Sequence, residues 1–193
     1  MVFAGAGQWP ATKPDEPIAA LSRTYIALSA STPLEFPPLV TADGSSLAPK
    51  QLQGHWSLIF FGFTACPLVC PTTLAVLTAA AHDAGSGIAA GTTKPLFVSV
   101  DPEHDTPERM CAYLKHFDRH ILGVTGTRDS VGSFAREIGA GYLPIGSALD
   151  HSTSLFVVDP QGRLAGVLLH PSKPSIVVAD LQKLRRVYDA GAR

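Results

Sequence analysis

An α/β sandwich, with a central mixed sheet, flanking helices and an N-terminal extension, is predicted by three features of the sequence. Ser57 to Phe61 is a continuous apolar run without alternation, which suits a strand buried on both faces of a partly parallel sheet. Leu96 to Val100 repeats that pattern after a helix-length interval, so the two runs frame a β-α-β unit. Leu155 to Val158 and Leu164 to Leu169 are further apolar runs, joined by Asp159-Pro160-Gln161-Gly162, whose Pro and Gly suit an antiparallel turn.

Length and composition narrow the field. At 193 residues the chain holds one domain with a substantial core and is too short for two. Hydrophobic residues make up 46% and charged residues 16%, a globular balance, and the net charge of -1 provides no basic field for a nucleic-acid partner. No run approaches a membrane span, and Met1 is not followed by a cationic flank, apolar segment and cleavage site. The chain therefore reads as cytosolic or as the soluble part of a longer protein. Three cysteines make no disulfide framework, so the question is whether two of them act together.

Taken in order, residues 1–32 are rich in Ala, Pro, Gly and Ser. Only Ile18, Leu21, Tyr25 and Leu28 recur at helical spacing, which predicts a linker with one short helix packed on a domain of residues 33–193. Pro33, Pro37 and Pro38 mark an extended edge, and Asp43-Gly44 a turn, giving a small hairpin. After the first buried strand come a cysteine-bearing turn and a helix over about Pro71 to Ala84. Beyond the second strand, Asp105 is the expected cap of a helix with Pro107 in its first turn and Glu108 three positions on. Cys111, Leu114 and Phe117 share a face of that helix, which predicts core packing for Cys111. Ile121 to Val124 is a short strand, Ser130 to Ile138 a helix beginning near Asp129, Gly139 to Leu149 a loop, and a last helix starts near Pro174 with Val177, Leu181 and Leu184 on one side. The order β-α-β, extra helices, then β-β-α fits a thioredoxin-like sandwich.

The chemistry concentrates in Phe60 to Leu74, FFGFTACPLVCPTTL. Cys66 and Cys70 are four positions apart, roughly 6 Å along a helix axis, close enough for a disulfide or for both sulfurs to hold one metal ion. Pro71 suits the first helical position, which would put the Cys70 sulfur where backbone N–H groups and the helix dipole favour a thiolate. The bland reading of the pair is two small buried hydrophobes. Seven histidines compete for the place of a third ligand. His82, His116 and His120 fit solvated helix surfaces, His55 precedes the first strand, His104 follows Asp101 at the cysteine end of the sheet, and His170 lies at the other end. His151 stands in the loop before the hairpin, which abuts the cysteine turn in a thioredoxin-like fold, with Asp150 beside it to orient the imidazole. Two thiolates and one imidazole make a soft, low-coordination set that suits copper, Cu(I) above all, better than structural zinc.

Four stretches together resemble the Sco/SenC family of membrane-tethered copper proteins that help assemble cytochrome c oxidase: the cysteine segment, SVDPEHDTPE from Ser99 to Glu108, GVTGT from Gly123 to Thr127, and DHSTSLFVVDPQGRL from Asp150 to Leu164. The resemblance covers roughly Leu34 to Arg186. It implies a thioredoxin-like fold and copper, Cu(I) or Cu(II), on Cys66, Cys70 and His151, with Asp101 and Asp150 as supporting residues. Its implied partners are the copper-site subunit of cytochrome c oxidase and other copper carriers. It also implies a periplasmic or extracytoplasmic location, with a membrane tether upstream of the residues given. Leu68 stands where the family often has Asp and Phe63 where it often has Tyr, so the rim that meets a partner differs. The alternative function is a thiol-disulfide oxidoreductase, with Cys66 and Cys70 catalytic, that reduces the oxidase's copper-site cysteines. Against a general thioredoxin stand three residues between the cysteines instead of two, and no Pro directly before Leu155. Val69 to Thr72 resembles the peroxidatic segment of peroxiredoxins, but Pro67 and Phe63 occupy the positions where those enzymes carry Thr and Pro.

Overall fold

The computed structural model describes residues 25–27, 32–140, 144–145, 148–149, 154–169 and 171–191. In chain order its elements are β1 (Tyr25–Ala27), β2 (Leu39–Thr41), β3 (Ser46–Leu47), β4 (Trp56–Gly62), α1 (Val69–Ala81), β5 (Thr93–Ser99), α2 (Pro107–Leu114), β6 (Leu122–Thr125), α3 (Arg128–Glu137), β7 (Pro144–Ile145), β8 (Ala148–Leu149), β9 (Leu155–Val158), β10 (Leu164–Leu168) and α4 (Pro174–Gly191). Eight strands form one sheet in the order β1-β10-β9-β4-β5-β6-β2-β3, and β7 and β8 pair separately. β4, β5 and β6 are parallel neighbours, while β9 runs antiparallel to β4. The architecture is the thioredoxin-like α/β sandwich that the order of elements predicts.

β4 sits at the centre because all seven of its residues are buried. Leu58 and Phe60 face the layer formed by α1, α2 and α4, through Leu74, Leu77, Met110, Leu114, Val177 and Leu181. Ile59 and Phe61 face the opposite layer, where α3 contributes Val131, Phe134 and Ala135, and Ile138 just beyond it, beside Leu34 and Phe36. The strand's period of two thus divides one apolar run between two cores. The β9–β10 turn is fastened by Asp159, whose carboxylate accepts from Gln161 N at 2.9 Å, Arg163 N at 3.0 Å and Arg163 Nε at 2.8 Å.

Several expectations are corrected. Tyr25 belongs to no helix: it pairs with Leu168 as the edge strand β1, and its hydroxyl donates to Ala165 O at 2.9 Å. Residues 1–24, which include Ile18 and Leu21, lie outside the described residues. α1 begins at Val69, two positions before the expected Pro71. Pro71 is still tolerated there, because none of the first four N–H groups of a helix has an intrahelical partner. α2 is capped by Thr106 Oγ1, which accepts from Arg109 N at 3.3 Å, since the Asp105 carboxylate is drawn into the interior. α3 is capped by Thr127, two residues before the expected Asp129. The expected loop of residues 139–149 contains the β7–β8 pair. Cys111 is exposed, because α2 buries Met110 and Leu114, and a residue next to Met110 is turned about 100° from that face.

Candidate metal centre

Gly62 ends β4, and the chain then turns through Phe63 to Leu68 into α1. Cys66 N donates to Phe63 O at 3.2 Å, tightening that turn, and Cys70 N donates to Cys66 Sγ at 3.4 Å. Both sulfurs are thereby gathered at the start of α1. A Cβ on Gly62 would lie 2.6 Å from Cys70 Sγ and 2.7 Å from Phe97 Cε2, so the space that glycine leaves open is the seat of the sulfur. Cys70 is fully buried and Cys66 is 6% exposed. Around them Ala65 and Pro67 are exposed, and Leu68 is 70% exposed.

Cys70 is the second residue of α1, at the dipole's favourable end, yet its thiol is not made acidic. Burial pushes its pKa up to about 12; a hydrogen bond from the Phe63 backbone opposes the rise, while the neighbouring Cys66 thiol, hydrogen-bonded to it, and Asp105 add to it. Desolvation outweighs the dipole because the sulfur is sealed from water. The expected low-pKa thiol is therefore corrected to a protonated Cys70 thiol, which would have to release its proton to hold a cation.

Asp105 is the residue that the sequence reading assigned to a different task. It is 1% exposed, and its carboxylate accepts from Thr64 N at 2.9 Å, Thr64 Oγ1 at 2.5 Å and Ser99 Oγ at 2.7 Å. Arg109 Nε donates to the same Thr64 hydroxyl at 2.9 Å and lies 3.8 Å from the carboxylate. The loop entering the cysteine turn is thus tied to the end of β5 and the start of α2. The signal in the sequence was an acid in a Pro-rich segment, which a cap explains equally well. Asp101 accepts from His104 Nδ1 at 2.8 Å, which occupies His104 with a carboxylate and raises its pKa. His151 and Asp150 lie outside the described residues. β9 nevertheless starts where β4 finishes, with Leu155 paired to Phe60. Among the described residues no three His, Cys, Asp or Glu side chains gather as a metal-holding group.

Comparison with known proteins adds the family. The SCO1/SenC family profile matches residues 32–186. The human mitochondrial SCO1 homologue is 31% identical over 156 residues, 78% of this chain and 52% of its own length. The chain spans about half the length or less of the first four curated relatives it matches. The solution structure of apo Sco1 from Thermus thermophilus is 34% identical with a TM-score of 0.72, covering 86% of this chain and 99% of that one. The structure of Bradyrhizobium japonicum ScoI with copper bound is 30% identical with a TM-score of 0.67, covering 79% and 99%. With four-fifths of its length matched by the profile and its sheet shared with these structures, the chain belongs to the SCO1/SenC family.

Proposed function

We propose that the protein carries one copper ion on Cys66, Cys70 and His151 and delivers it to the copper-site subunit of cytochrome c oxidase. The observation that carries the reading is the Cys70 sulfur seated in the gap that Gly62 leaves, with the Cys66 thiol hydrogen-bonded beside it. Thiolates are soft ligands, and two on one side of an ion suit copper. The copper-bound relatives support the choice of metal. A third ligand would come from the segment before β9, which enters the sheet at the cysteine end. Asp105 would act on the site by holding Thr64, with Asp150 orienting the His151 ring and Asp101 occupied by His104.

Transfer is by ligand exchange at the exposed rim. Cys66 is the cysteine with residual exposure, so an incoming thiol would reach it before Cys70. Exposed Leu68 and Pro67 offer the recipient an apolar contact beside it. No helix among the described residues is long and apolar enough to cross a membrane. A tether preceding residue 1 and an extracytoplasmic location belong to the same proposal.

X-ray absorption of the loaded protein is expected to show two sulfur scatterers and one nitrogen; oxygen and nitrogen alone would reject the assignment. Cys66→Ser and Cys70→Ser each abolish tight binding, whereas Cys111→Ser, on the exposed face of α2, retains it. His151→Ala weakens Cu(I) moderately and loses the sulfur-to-copper absorption of the Cu(II) complex, because Cu(II) wants imidazole and higher coordination. A second reading, reduction of the oxidase's cysteines, is favoured by the contact of two reduced sulfurs that can close to a disulfide. It predicts that the protein reduces a dicysteine peptide without metal present.

A further inference from the structure

β5 and β6 are parallel neighbours, but the helices that follow them leave on opposite faces of the sheet. α2 packs Met110 and Leu114 into one core and α3 packs Val131 and Phe134 into the other. Adjacent strands whose connections part in this way leave a crevice beyond their carboxyl ends, which is where open α/β sheets bind ligands. Here it is a cavity of about 490 Å³, in the size range of small-molecule sites. Pro37, Pro38, Val40, Pro102 and Pro107 give it apolar walls. A Cβ on Gly123 would lie 2.9 Å from Leu114 Cδ1, so α2 covers that face of β6, and Thr125, two residues on, faces the same way. Thr125 lines the cavity and is 5% exposed, and its hydroxyl has no hydrogen-bond partner among the described residues. The other hydroxyls of the lining are engaged. Thr106 Oγ1 accepts from Arg109 N at 3.3 Å, Thr127 Oγ1 from Ser130 N at 3.1 Å, and Ser130 Oγ donates to Thr127 O at 3.0 Å. A lone orphan hydroxyl in such a place costs free energy until an acceptor arrives.

The charges around the cavity select what that acceptor is. Its lining has no Lys, Arg or His, so an entering anion meets no cationic side chain there, and Glu108 and Asp129 already occupy the first turns of α2 and α3. The Arg128 guanidinium that opens α3 is paired with Glu103 Oε1 at 2.6 Å. A cation fares no better, because Asp105, the charged residue of the lining, already accepts three hydrogen bonds and has Arg109 at 3.8 Å. Neither sign of charge recovers the hydration it gives up. We propose that this cavity binds an uncharged small molecule that joins a carbonyl oxygen, which accepts from Thr125, to a compact apolar ring that packs on the prolines. Asp105 is a wall shared with the cysteine turn, which it holds through Thr64, but the site is independent of the copper reading.

The test uses benzamide, benzoate and benzamidine, which place an uncharged, a negative and a positive group on one ring at neutral pH. Each is titrated into the metal-free full chain while the backbone amide resonances of Thr125 to Asp129 are followed by NMR. Benzamide is expected to shift them saturably at millimolar concentration, with the two ions at least tenfold weaker. Thr125→Val keeps the shape and removes the hydroxyl; it should melt at the wild-type temperature or above it and bind benzamide about tenfold more weakly. Val40→Phe, which fills the cavity from the facing strand, should abolish the shifts, and it decides the matter if Thr125→Val does not fold. Absence of a saturable benzamide shift, an ion that binds as tightly as benzamide, or unchanged affinity in either variant overturns the proposal.

Discussion

At Gly62 an absent side chain makes room for a cysteine sulfur. The Cys70 sulfur and the Phe97 ring fill the volume that a Cβ would need. Gly62→Ala is expected to cost about 1–3 kcal/mol by overpacking, and to weaken copper binding while both cysteines remain. Denaturant unfolding and a chelator competition on the same variant separate the two effects; unchanged affinity would mean that the sulfur can sit elsewhere. Asp105 makes the complementary case, in which a buried charge is kept because three donors converge on it. Asp105→Ala strands the Thr64 amide, the Thr64 hydroxyl and the Ser99 hydroxyl, with an expected loss of about 2–4 kcal/mol. Loosening of the Phe63 to Leu68 turn should accompany it, read as faster amide exchange at Cys66.

Elements were legible in the sequence to the degree that one physical pattern dominated each. β4, β9 and β10 were readable because their apolar runs and the Asp159-Gly162 turn admit few alternatives. The start of α2 was not, since Asp105 and Thr106 are both capping types and only tertiary contacts decide which carboxylate or hydroxyl stays local. Thr106→Ala should therefore cost about 1 kcal/mol as a lost cap, far less than Asp105→Ala, and a reversal of that order would return the cap to Asp105. Cys111 was misread for a related reason: Leu114 and Phe117 on a helix admit two neighbouring faces, and Met110 settles the choice. β1 was hidden because three residues carry too little periodicity to announce a strand, and its edge pairing with β10 is a long-range contact. In the candidate site the cysteine pair was visible from spacing alone. The suppressed acidity of Cys70 was not, because burial has no local signature, and Gly62 and Asp105 make their contacts with residues distant in sequence.

Over the whole molecule, the proposed cysteine ligation would couple stability to metal binding through the protons of the site, with a sign that changes on loading. In the reduced, metal-free protein the Cys70 pKa rises from an ordinary 9.0 to about 12. The unfolded chain then loses this proton before the folded one does, so the contribution is fully present below about pH 9 and is lost as pH climbs toward 12. The slope is at most about 1.4 kcal/mol per pH unit for one thiol. Tyr25 and Tyr113, whose pKa values are also raised by burial, push the same way at higher pH. With copper held on Cys66 and Cys70 as proposed, the order would reverse: the folded state would keep its sulfurs deprotonated, while the unfolded chain still binds those protons below about pH 9. The loaded protein should gain stability with rising pH, from above the histidine range up to about pH 9, with a slope of up to about 2.7 kcal/mol per unit for two thiols. Denaturant titrations of both forms across this range, with Cys70→Ser as the reference that removes one proton, measure the two slopes. A loaded form whose stability stays flat below pH 9 would mean that the metal displaces no thiol protons, and the two sulfurs would cease to be its ligands.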